Sequence, residues 1–228
     1  MPDPARENRT IRSFVRREGR MTRSQARALE RLGPHYCIAA HRLRGIDKIF
    51  GRQASLTLEI GFGNGAALAS MAEQEPESDF IGIEVHRPGV GHLLLEIEQR
   101  GLENVRIVCD DAVEVIRRYL PEDSLERVLL LFPDPWPKKR HHKRRIVQPG
   151  FLQLLAGRMK SGGILHMATD WQDYAEHMLA IMAQLPEFRN CAGAGNFSPR
   201  PDYRPVTRFE RRGQDLGHAV RDLVFERI

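Results

Sequence analysis

The chain has 228 residues, 41% of them hydrophobic and 29% charged, with a formal net charge of +5. That length suits one α/β-sized globular domain with a modest extension. The N-terminus MPDPARENRT carries no apolar leader, and no uncharged run approaches the roughly 20 residues of a membrane helix, so a cytoplasmic protein without membrane contact is expected. Cys37, Cys109 and Cys191 lie far apart with no CxxC spacing, which argues against a disulfide framework and against a metal site.

The charge is concentrated. Residues 1–31 hold nine Arg against Asp3, Glu7, Glu18 and Glu30, a net of +5, and residues 138–145 hold six Lys or Arg and no acid, a net of +6, which leaves the remainder at −6. Two basic patches on an acidic body are the footprint of a polyanion partner, nucleic acid first. In the first patch Arg12, Arg16, Arg20, Arg23 and Arg27 are spaced to share one helical face, although Gly19 argues against a single continuous helix. Residues 1–50 read as a basic, partly flexible N-terminal extension and 51–228 as the domain.

From residue 56 the chain alternates short apolar runs with longer helical patterns. Strands are predicted over 56–60, 80–85, 105–109, 127–132 and 163–168, with helices near 65–75, 90–100, 112–120, 147–160 and 171–185. This rhythm implies a mostly parallel sheet with helices on both faces. Leu93, Leu94 and Ile97, and Tyr174, Met178, Ile181 and Met182, have the spacing of core stripes. Residues 190–206, rich in Gly, Asn, Ser, Pro and Arg, read as a long functional loop, and 218–228 as a closing strand.

Within LEIGFGNG, Gly61, Gly63 and Gly65 stand between a strand and a helix, where glycines permit a tight turn and let a ligand approach the backbone. The spacing is GxGxG, with Ala66 where the dinucleotide fingerprint has its third glycine, so the turn alone is a weak signal. Acids at later strand ends strengthen it. Glu84 falls where a carboxylate accepts from ribose hydroxyls, Asp111 where one accepts from an adenine amino group, and Glu59 where one faces an ammonium. With Asp134, they mark four consecutive strand ends. An adenosine ligand with a positive charge and no phosphate, such as S-adenosylmethionine, suits this mouth, whereas the pyrophosphate of NAD would be repelled.

The fourth strand runs straight into PDPWPKK. Pro133, Pro135 and Pro137 stiffen that loop and preset the direction of Asp134, which holds one carboxylate still beside a reactive methyl. Trp136 either stacks on a target base or packs under the loop. Beyond it, Lys138–Arg145 is placed to grip phosphates, and the pair His141 and His142 reads as part of that surface, since no further metal-ligand spacing is visible.

IRSFVRREGR, LEIGFGNG, GIEVH, DDAVEV, FPDPWPKKRHHKRR, ATDW, TRFERRG and LGHAVRDLVFER together cover nearly the whole chain, and in them it resembles the bacterial tRNA (guanine-N7) methyltransferases, the TrmB family. FPDPWPKKRH is the most specific of these segments and the glycine turn the least. The resemblance implies a class I methyltransferase fold, Rossmann-like, with a seven-stranded mostly parallel sheet. It implies S-adenosylmethionine as methyl donor, and N7 of the guanine at position 46 of the tRNA variable loop as acceptor. It also implies Glu59, Glu84, Asp111 and Asp134 as cofactor contacts beside Gly61 and Gly63, with Asp134 catalytic. Lys138, Asp170, Thr207, Arg208, Phe209 and Glu210 become substrate contacts, and Arg140, His141, His142, Lys143, Arg144 and Arg145 the RNA-contacting segment. The family often has Lys where this chain has Arg208, a planar fork in place of a point charge. A monomer or homodimer without metal is expected. The rival readings are a methyltransferase of small molecules or proteins, a nicotinamide oxidoreductase, and a non-catalytic RNA-binding protein.

Overall fold

Leu56–Ile60 is buried at every position, the polar Thr57 and Glu59 included. Such a strand must be covered on both faces, and the computed structural model, which describes residues 19–206, 210 and 219–228, shows how. Seven strands, β1 (Leu56–Ile60), β2 (Asp79–Ile83), β3 (Val105–Val108), β4 (Leu125–Leu131), β5 (Met159–Thr169), β6 (Phe188–Asn190) and β7 (Arg221–Arg227), form one sheet in the order β3-β2-β1-β4-β5-β7-β6. The first five are parallel, and β7 runs antiparallel to both β5 and β6. Among the described residues these helices accompany them: α1 (Arg23–Tyr36), α2 (Ile46–Phe50), α3 (Ala66–Gln74), α4 (Arg87–Arg100), α5 (Ala112–Tyr119), α6 (Pro149–Ala156) and α7 (Gln172–Met182).

Alternate strand residues feed two cores. Leu56, Leu58 and Ile60 pack with Val115, Phe151 and Tyr174 of α5, α6 and α7, while Phe80, Val105 and Leu129 pack with Leu68 and Leu93 of α3 and α4. Both expected core stripes are buried. The expected elements appear with small shifts: β2 ends at Ile83 rather than Val85, α6 stops at Ala156, and β5 begins earlier, at Met159.

Residues 23–50 differ from the expectation of an extension. Thr22 and Gln25 form a capping box, the Gln25 N–H donating to Thr22 Oγ1 at 3.2 Å and the Thr22 N–H to Gln25 Oε1 at 2.8 Å, and this starts α1. The helix lies so close to α4 that a Cβ on Gly91 would stand 2.8 Å from Gln25 Cβ. Ile38, whose N–H donates to Ile107 O, joins Leu43 and Ile49 in the first core, so this segment packs against the sheet. Of the expected arginine face, Arg23 and Arg27 lie on α1, Arg20 precedes it, and Arg12 and Arg16 lie outside the described residues.

Strand order reverses between β1 and β4, so the connections leaving their carboxyl ends diverge and open a crevice there, the place where doubly wound sheets bind ligands. Among the described residues no helix is long and apolar enough to cross a membrane, and no group of three or more His, Cys, Asp and Glu could hold a metal ion.

Candidate active site

Glu59, the penultimate residue of β1, is 3% exposed, and its Oε2 has no hydrogen-bond partner. Burial, and after it the neighbouring Glu84 charge, push its pKa up to about 8. Glu84, just past β2, is held the opposite way: its Oε2 accepts from the Gly63 N–H at 3.0 Å and its Oε1 from the Val85 and His86 N–H groups at 2.7 and 2.9 Å. A carboxylate has about four acceptor sites, so one remains for a ligand hydroxyl. Between the two acids, Gly61 and Gly63 take φ of 71° and 60°, which L side chains avoid. The first turn of α4 presses on this turn so closely that a Cβ on Gly89 would lie 2.0 Å from Gly63 O.

A cleft of about 220 Å³ joins Gly61, Glu84, Asp110, Phe132 and Asp134. On the other side of Gly61 and Phe132 a groove of about 560 Å³ includes Glu59, Phe62, Pro205 and Val206. The ends of β1, β2, β3 and β4 thus line two adjoining cavities that share Gly61 and Phe132. Asp111, expected as a cofactor contact, also caps α5, its Oδ1 accepting from the Val113 N–H at 3.0 Å, and its neighbour Asp110 lines the cleft wall.

Asp134 is exposed at the mouth of the cleft. Phe132 and Trp136 on either side have φ of 54° and 46°, a left-handed backbone that costs about 1–3 kcal/mol per residue when glycine is absent. Tertiary contacts hold this geometry. The Phe132 N–H donates to Ala168 O at 2.8 Å, and Arg145 Nε donates to Pro135 O at 2.9 Å.

The basic run is a 3₁₀ helix over Lys139–Arg144. Lys138, Lys139, Arg140 and Lys143 are exposed. Arg144 lies over the Trp136 ring at 4.0 Å, with His141 edge-on at 6.0 Å, so Trp136 packs under the run. Desolvation, then Arg140, Arg144, Lys138 and Lys143, lower the His141 pKa, which keeps that ring uncharged at neutral pH. Arg145 corrects the expectation of an RNA contact: it is 2% exposed, its guanidinium pairs with Asp173 and lies over the Tyr174 ring, and it braces the Asp134 loop. Its hydrogen bond holds the Asp173 carboxyl below its usual pKa range.

Asp170 follows β5 at the same sheet edge, half-buried. Glu210, expected as a substrate contact, is 3% exposed, and its oxygens accept from Arg204 at 2.5 and 3.0 Å. Thr207, Arg208 and Phe209 lie outside the described residues. The sequence marked Arg204 only as part of a loop; its flanking PDYRP was the available signal.

The model of a family described as "Putative methyltransferase" matches residues 53–223. A tRNA (guanine-N(7)-)-methyltransferase of Alcanivorax borkumensis is 55% identical over 227 residues, covering 99% of this chain and 95% of that one. One of Pseudomonas aeruginosa is likewise 55% identical, covering 99% and 93%. This chain belongs to the tRNA (guanine-N7) methyltransferase family. The fold is that of the class I methyltransferases: an rRNA methylase of Streptococcus thermophilus, 13% identical, superposes with a TM-score of 0.52 over 77% of this chain and 87% of its own.

The acid set of this family member fits a cationic methyl donor on one structural ground, the unpartnered Glu59 Oε2, since a buried carboxylate oxygen without a donor is costly until a ligand supplies one. The Glu59 pKa of about 8, against an ordinary 4.5, makes the folded chain bind about one proton more than the unfolded chain between those values. Stability of the ligand-free protein should therefore fall as pH rises through that window, by up to about 1.4 kcal/mol per pH unit. Denaturant unfolding between pH 6 and 8 should show a shallower fall in Glu59→Gln than in the wild type. Parallel curves would mean that Glu59 keeps an ordinary pKa.

Proposed function

We propose that this protein transfers the methyl group of S-adenosylmethionine to N7 of a guanine in tRNA, forming 7-methylguanosine, and that the guanine is the one at position 46 of the variable loop. The observation that carries the reading is a pair of adjoining cavities sharing Gly61 and Phe132, one lined by the unpartnered buried Glu59 and the other by Glu84, pinned by three amides, and Asp134 on a stiffened loop. Family membership supports the acceptor, and the resemblance over nearly the whole chain supports position 46.

Glu59 receives the donor's ammonium. Glu84 accepts from the ribose, and Asp110 with the free oxygen of Asp111 faces the adenine edge. Gly61 and Gly63 let the backbone come close. Bound there, the donor supplies a methyl carried on a sulfonium, already electrophilic. Guanine N7 has an exposed lone pair and no proton to lose, so no general base is required, and orientation is the main task. Asp134 accepts hydrogen bonds from the guanine N1–H and exocyclic amine, as acidic side chains do from base amino groups. Its charge offsets the positive charge that develops on the ring, and its fixed loop avoids reorganisation. Lys138 and Asp170 contact the nucleotide, with Thr207, Arg208 and Phe209 as further candidate contacts, while Lys139, Arg140 and Lys143 hold phosphates without reading sequence. The work is that of a cytoplasmic enzyme.

Incubation with tRNA and labelled methyl donor, followed by nuclease mapping, should place the label on guanine 46, and a transcript with adenine at that position should take none. Label elsewhere, or equal labelling of both transcripts, would contradict the assignment. Asp134→Ala should lower turnover by about two to three orders of magnitude, the loss seen when a fixed transition-state partner is removed, with tRNA affinity unchanged by filter binding. Turnover near the wild-type value would remove Asp134 from the mechanism.

A further inference from the structure

The face of the sheet that α3 and α4 cover at β1–β3 carries a buried polar network at β5 and β7. Arg204 is its centre, 1% exposed. Its guanidinium meets Glu210 through two bonds of 2.5 and 3.0 Å, and meets Asp222 of β7 with Nε 2.8 Å from Oδ1 and Nη2 3.0 Å from Oδ2. Asp222 Oδ1 also lies 2.8 Å from Nε2 of His166 in β5, and the Tyr203 hydroxyl lies 3.0 Å from His166 Nδ1. A neutral imidazole satisfies both contacts, donating from Nε2 to the carboxylate and accepting at Nδ1 from the phenol. Arg127, held by Glu75, lies over the Tyr203 ring at 4.4 Å.

This network touches the active site at two points. Arg204 stands 5.9 Å from the Phe132 ring centroid, and Phe132 is the left-handed residue that opens the Asp134 loop. The residues after Arg204, Pro205 and Val206, form the wall of the groove that faces Glu59 and Phe132. Because Glu210 is held by the same guanidinium, both ends of the intervening five residues are tied to one buried cation. A bidentate Glu210, and an Asp222 that accepts one hydrogen bond from Nη2 beside a close Nε contact, fix the orientation of the planar fork as well as its distance.

We propose that Arg204 is a positioning residue for methyl transfer, setting the register between the Pro205–Val206 wall and the Phe132–Asp134 loop so that the target base is aligned between them. The proposal rests on the reading that the nucleotide enters beside Phe132. It also gives Glu210 a function as the partner that locks Arg204. Lys is a poor substitute at position 204, since a point charge cannot fork to two carboxylates.

The test compares the full-length wild type with Arg204→Lys and Glu210→Gln. Each is measured for kcat and KM toward tRNA, for S-adenosylmethionine affinity by calorimetry, and for thermal midpoint. A misplacement near 1 Å costs about 100-fold in turnover, so kcat should fall by about that factor while donor affinity stays at the wild-type value. Glu210→Gln keeps the side chain's shape and one acceptor, so it decides the matter if Arg204→Lys does not fold. Wild-type kcat in a folded variant would overturn the proposal. So would a fall in kcat matched by equal falls in donor affinity and folded fraction, since that is the signature of a purely structural role. Failure of the nucleotide assignment itself is read separately, from the position of label in the wild-type product.

Discussion

A carboxylate buried in an inner strand of the sheet with one oxygen lacking a partner is the constraint around which this molecule is arranged. Glu59 occupies a position that the sheet would fill with an apolar side chain if packing alone were at stake, and burial raises its pKa to about 8. The neighbouring parts are shaped to serve that position. The glycine turn places the Gly63 amide on Glu84, the first turn of α4 closes on that turn through Gly89, and the reversal of strand order leaves room for a ligand in front of both acids. Protein–ligand complementarity of this kind lowers the stability of the empty fold and returns it on binding.

The second half of the site depends on two arginines that never face solvent. Arg145 braces the Asp134 loop through Pro135 O and Asp173, and Arg204 reaches the same loop from the other side through Phe132. Between them stand two left-handed residues and three prolines, so the loop holds a strained and stiff conformation that only tertiary contacts maintain. LFPDPWPKKRHHKRR therefore divides three ways: a strand end that delivers Asp134, an exposed cationic turn, and a final arginine turned inward.

Much of this was legible in the sequence because local pattern and burial agree. β1 stands at Leu56–Ile60 as expected, and the four acids fall at the strand ends since βα units place every strand's carboxyl end on one edge. The failures share one physical cause. The stretch 23–50 is held by a capping box, by the close approach at Gly91 and by Ile38 on β3, contacts that neither periodicity nor composition records. The directions of Arg145 and Glu210 depend on Asp173, 28 residues away, and on Arg204, itself set by Asp222. A charged residue's partner decides whether it points in or out. β6 has three residues, too few to show a pattern.

The central claim is that Glu59 awaits a cation, and calorimetry tests it most directly. Binding of S-adenosylmethionine should be measured at pH 7 in buffers of different ionisation enthalpy. With a carboxyl near pKa 8 in the free protein and a paired carboxylate in the complex, close to one proton should be released per donor bound, and Glu59→Gln should release none. Binding by the wild type with no proton released would contradict the account.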